Sequence, residues 1–421
     1  MVEQARDDEQ LIERVAALDV GKAEVVVCVR VPGSGPSGRR LQQVNTCSTM
    51  TRSLLVLGER LRELRVTRVV MESTSDYWKP VFYVLEACGL DPWLVNARDV
   101  KHLPGRPKTD TLDAVWLCKL AERQMLRPSF VPPPQIRLLR DLTRYRVDLV
   151  NARAAEKNRV EKLLEDAQIK LSSVVSDIFG VSGREMMAAL LAGDRDPQPL
   201  AQLARARMRA KIPLLEEAFV GHFTDHHAFL LSTMLARIDR AGADIAAVEA
   251  RIEELVSPFA DTVARLDEIT GVGAAAAQVI LAEVGLDMSR FPTAAHLCSW
   301  ARFTPVVAQS ASRTTHRSTG HGNPYLARVL GEAAVAASRT DTFLGARYRR
   351  IARRRGKKKA IVAVGRSILV IVWHLLAEPG TRFHDLGGDF YDNRVDPQRS
   401  TRVHIRRLEA LGYRVTLQPA A

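Results

Sequence analysis

Val15-Ala-Ala-Leu-Asp-Val-Gly-Lys-Ala-Glu-Val-Val-Val-Cys-Val29 is the stretch whose reading decides the fold. Two β-rich runs flank a Gly21-Lys22 step, which predicts two strands joined by a tight turn, with Asp19 at the end of the first. A Gly/Ser/Pro turn follows at Gly33 to Gly38. Leu54 to Leu64 reads as a helix, because Leu54, Leu57 and Leu61 share one face. Thr67-Arg-Val-Val-Met-Glu72 reads as a strand that ends on a carboxylate, Trp78 to Ala87 as a helix stopped by Gly89, and Trp93 to Asn96 as a short strand. A loop, His102 to Lys108, leads into a helix from Asp110 to about Arg123. Strands alternating with helices define an α/β layered domain, assigned to residues 12–130.

The prolines at 132–134 mark its boundary, since a proline run neither continues a helix nor joins a central strand. Residues 134–262 read as a helical, coiled-coil region. In its first long helix Leu138, Leu142, Tyr145, Leu149 and Ala152 recur at steps of four and three. In its last, Leu231, Met234, Ile238, Ala241, Ile245, Val248, Ile252 and Leu255 form a heptad seam that closes either within the chain or between subunits. Residues 263–378 read as a mainly α domain. It opens on Thr270-Gly-Val-Gly273 before an alanine-rich helix and contains a polar loop, Gln309 to Asn323, and a helix start at Asn323-Pro324. Residues 379–421 form a tail.

A net charge of +13 and a pI near 9.8 favour a polyanionic partner. The cysteines at 28, 47, 88, 118 and 298 have no C-x-x-C spacing, which excludes a zinc ribbon and fits reduced, mostly buried thiols in a cytoplasmic protein. The N-terminus is acidic and polar, not a signal peptide. The apolar run from Ala360 to Leu376 is broken by Arg366 and falls short of the ~20 residues that a span needs, so no membrane association is expected.

Asp19 and Glu72 each end a strand of one expected sheet, and Asp110 and Asp113 lie three apart on one helix face. Carboxylates that converge in this way can hold Mg²⁺ for phosphoryl transfer. The plainer account makes Asp19 a turn residue and the two helix acids a cap and a first-turn charge.

Asp19-Val-Gly-Lys22, Glu72-Ser-Thr74 and Lys108-Thr-Asp-Thr-Leu-Asp-Ala114 together resemble the acidic signature of the DEDD transposases of the insertion-sequence one-ten family, the bridge-RNA-guided DNA recombinases. Thr270 to Gly273, Phe291, Phe303-Thr-Pro305, Ser310 and Gly322-Asn323 follow in the order of that family's C-terminal domain. The resemblance covers about residues 15 to 376. It departs at Ser75 and Ala311, where the family usually has glycine.

The resemblance implies an RNase-H-like (RuvC-like) N-terminal domain in which Asp19, Glu72, Asp110 and Asp113 hold Mg²⁺. It also implies a serine nucleophile, Ser310, that attacks DNA. The enzyme expected is thus a transposase acting on donor and target DNA, guided by a bridge RNA and working as a dimer or tetramer. Further nucleic-acid contacts are expected at Gly271, Gly273, Arg313, Arg317, Arg353, Arg354, Arg355, Lys357, Lys358 and Lys359. Two other readings stay open: a RuvC-like metal-dependent endonuclease in which water attacks, and a non-catalytic nucleic-acid-binding protein.

Overall fold

The computed structural model describes residues 11–33, 40–73, 75–96, 109–305, 307–310, 313–316, 319–391, 393–394 and 397–418. The chain divides into two compact units, Met1–Val131 and Pro132–Ala421.

The first unit is built on a five-stranded mixed sheet of order β3-β2-β1-β4-β5. Its strands are β1 (Val15–Val20), β2 (Glu24–Pro32), β3 (Arg40–Ser48), β4 (Arg68–Ser73) and β5 (Pro92–Val95). β2 runs against β1 and β3, while β4 lies parallel to β1 and β5 parallel to β4. This is the RNase-H-like arrangement that was expected. Helices α1 (Thr51–Glu63), α2 (Trp78–Ala87) and α3 (Asp110–Glu122) flank it.

Alternation along the strands sorts the side chains into two layers. Ala16, Leu18, Val27, Val69 and Met71 pack with Leu54, Leu61, Val81 and Leu85 of α1 and α2. Val15, Ala17, Cys28, Val70 and Val95 pack with Ala114, Leu117, Cys118 and Ala121 of α3. β3 escapes the sequence reading because it is an edge strand whose side chains are mostly exposed, so Arg40-Leu-Gln-Gln-Val44 lacks an apolar face.

In the second unit, α4 (Pro134–Asp166) and α5 (Asp225–Val256) form an antiparallel hairpin. The direction follows from paired residues. His227 meets Asp166 at one end, Arg237 meets Glu156 at 3.1 Å, and the charge of Glu249 acts on Arg146 further along. The heptad of α5 thus closes within the chain, with Leu231, Ile238, Ile245 and Ile252 buried. The seam expected on α4 is corrected. Leu138 and Tyr145 are exposed, and the buried stripe is Ile136, Leu139, Thr143, Arg146, Glu156 and Val160. Polar residues in the true seam hide it from an apolar pattern. Short helices between 171 and 218 add Met186, Met187, Leu190, Leu200 and Leu215 to the core between the long helices.

Helices α6 (Ala260–Asp267), α7 (Ala274–Val284), α8 (Ala294–Trp300), α9 (Pro324–Ala337), α10 (Phe343–Arg355) and α11 (Lys357–Ala377) follow, and α12 (Pro397–Ala410) lies in the tail. The polar stretch expected to be a loop carries two short strands, β6 (Val307–Ser310) and β7 (Arg313–His316), in antiparallel register.

α11 has 21 residues, the apolar run Ala360 to Leu376 flanked by Lys357–Lys359 and Ala377, and by length and composition alone it could cross a membrane. It packs as a core helix. Ala360, Val364, Ile368, Leu369 and Val372 are buried, and Trp373 Nε1 donates to the Phe291 carbonyl at 2.7 Å. Gly365 admits the ring of Phe303, since a Cβ there would lie 2.6 Å from it.

Candidate active site

Sheet register places the first two acids side by side. Asp19 and Glu72 are Cα partners across the parallel β1–β4 pair, so their side chains leave the same face at the strand ends. Both are half-buried. Alternation puts them on the face that α3 covers, beyond Ala17 and Val70.

α3 brings the other two acids to that end. Its C-terminus is tied near the start of β1: Ile12 N–H donates to the Glu122 carbonyl at 2.9 Å, and Arg30 Nε donates to Glu122 Oε2 at 2.7 Å. Arg40 also pairs with Glu122. At mid-helix the buried Cys118 thiol lies 3.6 Å from the Val15 carbonyl oxygen and 3.5 Å from that of Cys28. From there the helix rises roughly 12 Å to Asp110, while β1 advances roughly 13 Å from Val15 to Asp19. The helix start and the strand end therefore coincide. Thr109 caps the helix by accepting from Leu112 N–H at 3.3 Å. Asp110 and Asp113 continue toward the N-terminus the stripe of Ala114, Leu117, Cys118 and Ala121 that packs on the sheet. Asp110 is exposed and Asp113 half-buried.

Sheet and helix thus bring all four acids to one end of one face. Their donor set, carboxylate oxygen throughout, suits a hard divalent cation such as Mg²⁺. Among the described residues no group of three His, Cys, Asp or Glu closes to ligating distance. The acids share an end without forming a finished cage.

Ser75, two residues past the end of β4, adopts φ +58°. That is a left-handed conformation which favours glycine, and it gives a physical reason for the glycine usual at this position.

The other expected contacts fall in the second unit. Gly271 has φ +89°, and a Cβ on it would lie 2.3 Å from the Ala333 carbonyl oxygen of α9, so tight helix packing alone requires glycine there. Gly273 is the N-cap of α7 and faces open space. Both line a cleft of about 510 Å³ with Arg146 and Arg328. Arg146 is almost fully buried, and burial holds its guanidinium below the ordinary arginine range.

Arg353, Arg354 and Arg355 end α10, Lys357, Lys358 and Lys359 begin α11, and all are exposed. Gly356, at φ +85°, makes the corner between them. Arg313 opens β7 and Ser310 closes β6, whereas Arg317 lies outside the described residues.

The sequence reading missed a buried ionic anchor in this unit. Glu283 on α7 is fully buried and takes two bonds from Arg144 of α4, at 2.7 and 2.8 Å. Asn323 Nδ2 donates to it at 2.5 Å while the Asn323 side-chain oxygen caps α9. Burial works against the Arg144 charge, but the bonds and charge of Glu283 outweigh it and hold the guanidinium above its ordinary range. Glu283 is the one charged residue of its helix, and only that isolation could have pointed to it.

The fold and the placement of the acids define an RNase-H-like carboxylate domain joined to a long helical region. Residues 16–169 match the family model of the DEDD transposases of IS110, and residues 263–349 match that of the transposases of the IS116/IS110/IS902 family. The chain belongs to that family and is a transposase.

A relative from Streptomyces coelicolor, the uncharacterized 43.6 kDa protein of insertion element IS110, is 25% identical over 407 residues, covering 90% of this chain and 95% of its own. Among solved structures the chain is similar to Thermus thermophilus RuvC, at 14% identity and a TM-score of 0.22 over 28% of this chain and 99% of that one. A second structure, that RuvC in complex with a Holliday junction substrate, matches at 13% identity and a TM-score of 0.22, again over 28% and 99%.

One expectation is corrected. The segment bearing Asp19, Glu72, Asp110 and Asp113 matches a transposase model named for its DEDD acids, on an RNase-H-like sheet. These findings support carboxylate- and metal-dependent strand cleavage rather than attack by a serine nucleophile. Ser310, in the other unit, loses the nucleophile's role.

Proposed function

We propose that the protein cleaves DNA strands for insertion-sequence mobility by acid-dependent phosphodiester chemistry, with Asp19, Glu72, Asp110 and Asp113 as its catalytic groups. The register of Asp19 against Glu72 on adjacent parallel strands is the observation that carries this reading. The acids of α3 arrive at the same end of the same face. These four side chains would hold Mg²⁺, which when bound supplies an activated water and neutralises charge on the phosphate. β1 and β4 fix the spacing of Asp19 and Glu72, and the cap at Thr109 orients the first turn of α3. DNA is the substrate that a transposase implies. The exposed cations at the α10–α11 corner, with the cleft at Gly273, would hold its phosphates.

The test uses two variants, Asp19→Asn and Glu72→Gln, each nearly unchanged in volume. Each is expected to lower Mg²⁺-dependent nicking of insertion-end DNA by about a hundredfold or more, the scale of losing a main electrostatic catalytic group. DNA affinity measured without Mg²⁺ should stay within about twofold, because phosphate contacts and not the acids dominate binding. Full nicking by Asp19→Asn would remove the acid site from the mechanism.

A further inference from the structure

The family matches end at residue 349, and the tail beyond α11 has no part in the reading above. In the structure that tail folds back onto α10. Asp385 accepts from Phe343 N–H at 2.9 Å, at the first residue of α10. Phe383 N–H donates to Glu268 at 3.1 Å, and Arg382 pairs with the same carboxylate. Phe390 meets Phe343 edge-to-face at 4.8 Å, and Tyr391 stacks on Phe343 at 5.7 Å. These contacts tie residues 382–383 to Glu268, just past α6, and residues 385–391 to the start of α10.

The fold-back borders an open cavity of about 540 Å³. Arg349, Arg350, Arg353 and Arg354 line one wall, and their spacing along α10 puts them on one helix face. Tyr391 and Arg407 supply the opposite wall, Arg407 from the exposed helix α12. The Arg350 guanidinium lies 4.5 Å over the ring of Tyr391, and Arg347 donates to the Tyr391 hydroxyl at 3.0 Å. Tyr391 thereby fixes both the tail and the direction of Arg350. Among the described residues, the carboxylate paired with the lining arginines is Asp341, 3.3 Å from Arg349 and almost wholly exposed. Arg350, Arg353, Arg354 and Arg407 bring like charges together around one space.

We infer that this cavity binds the phosphodiester backbone of a nucleic-acid strand, and that the tail is its second wall. Planar guanidinium forks match phosphate oxygens, and arginine is the side chain suited to such recognition. The volume lies within the ~300–1,000 Å³ of ligand pockets, room for neighbouring phosphates with their sugars. The lining residues belong to the second unit and the four acids to the first. The inference deepens the reading of the α10–α11 corner as a nucleic-acid contact and rests on it.

The test measures binding of one single-stranded sequence, as DNA and as RNA, to the full-length protein without Mg²⁺ and across salt concentrations. Compared are the wild type, Arg354→Ala/Arg407→Ala, Lys357→Ala/Lys358→Ala/Lys359→Ala, and Arg209→Ala as an exposed arginine elsewhere in the unit. Circular dichroism checks that each is folded. Each phosphate contact contributes about 0.7 to the slope of log affinity against log salt for single strands. The double arginine variant should therefore lose about 1.4 from that slope and about tenfold in affinity at moderate salt, and Arg209→Ala should lose neither. Loss with both strands supports the shared phosphate chemistry, and loss with one alone names the strand that the site holds. If the lysine variant weakens binding but the arginine variant does not, the cavity is overturned while the corner stands. If neither weakens it, both are overturned.

Discussion

Glu283→Gln is the substitution with the most to say about what holds the second unit together. It keeps the side chain's volume and removes its charge, so no cavity term enters. In the native chain the carboxylate accepts two bonds from Arg144, at 2.7 and 2.8 Å, and one from Asn323, and it lies 3.4 Å from Arg140. Glutamine turns one of those acceptors into an amide that faces donors. Removing one partner of a buried pair costs about 3–5 kcal/mol. Arg144 keeps 35% exposure, so water recovers part of the loss and the low end, ~3 kcal/mol, applies.

Hydrogen exchange read by mass spectrometry is the suitable assay, because a chain of two units need not unfold in one step. Amides of α7 and α9 should exchange roughly a hundredfold faster, since ~1.4 kcal/mol is tenfold. Peptides from β1 and β4 serve as internal controls, and Glu283→Ala with Arg144→Ala completes the cycle. Unchanged protection in α7 and α9 would refute the claim that this carboxylate ties the two helices to α4.

Ser75→Gly should stabilise the first unit by up to about 1 kcal/mol by relieving a left-handed serine, read as a thermal midpoint roughly 2–4 °C higher; a lower midpoint counts against the strain. Gly271→Ala should destabilise the second unit by about 3 kcal/mol, combining positive φ with overpacking onto Ala333, whereas Gly273→Ala should change it by under ~1 kcal/mol; equal melting of the two would contradict the packing account. Cys118 and Cys298 are buried, and their thiols are pushed up, Cys118 first by the hydrogen bond with Cys28 and then by burial, Cys298 by burial. Thiolate is the reactive form, so both should resist alkylation at pH 8 in the native chain and react in urea, and rapid native labelling of Cys118 would show that α3 does not sit on the sheet as described.

The sheet was legible wherever it was buried. Val15 to Val29 and Thr67 to Glu72 face apolar layers on both sides, so their composition announces them, while β3 has no such layer and stayed hidden. The acids could be listed from the sequence, and their positions at strand ends and on one helix face could be inferred. The register that sets Asp19 against Glu72 depends on pairing across more than fifty residues, which local pattern does not encode. On α4 the pattern misled: Leu138 and Tyr145 look like seam residues, yet the chain turns Thr143, Arg146 and Glu156 inward, where the Arg140 carbonyl of the same helix accepts from Thr143 and Gln278 and Arg237 of neighbouring helices satisfy Arg146 and Glu156. The arginine wall was visible as a charge run, but the tail that closes it was not, because Asp385, Phe390 and Tyr391 acquire their meaning only when they meet Phe343.

The corner at Gly356 has a thermodynamic consequence. Lys357, Lys358 and Lys359 occupy the first turn of α11, the positive end of its dipole, where cations are unfavourable, and Arg353, Arg354 and Arg355 stand just before them. The free chain therefore carries a local repulsion that any bound polyanion relieves, and by linkage a ligand that prefers the folded form raises its stability. Salt and inorganic polyphosphate become stabilisers of the purified protein, and the molecule is at its least stable when it has nothing to hold.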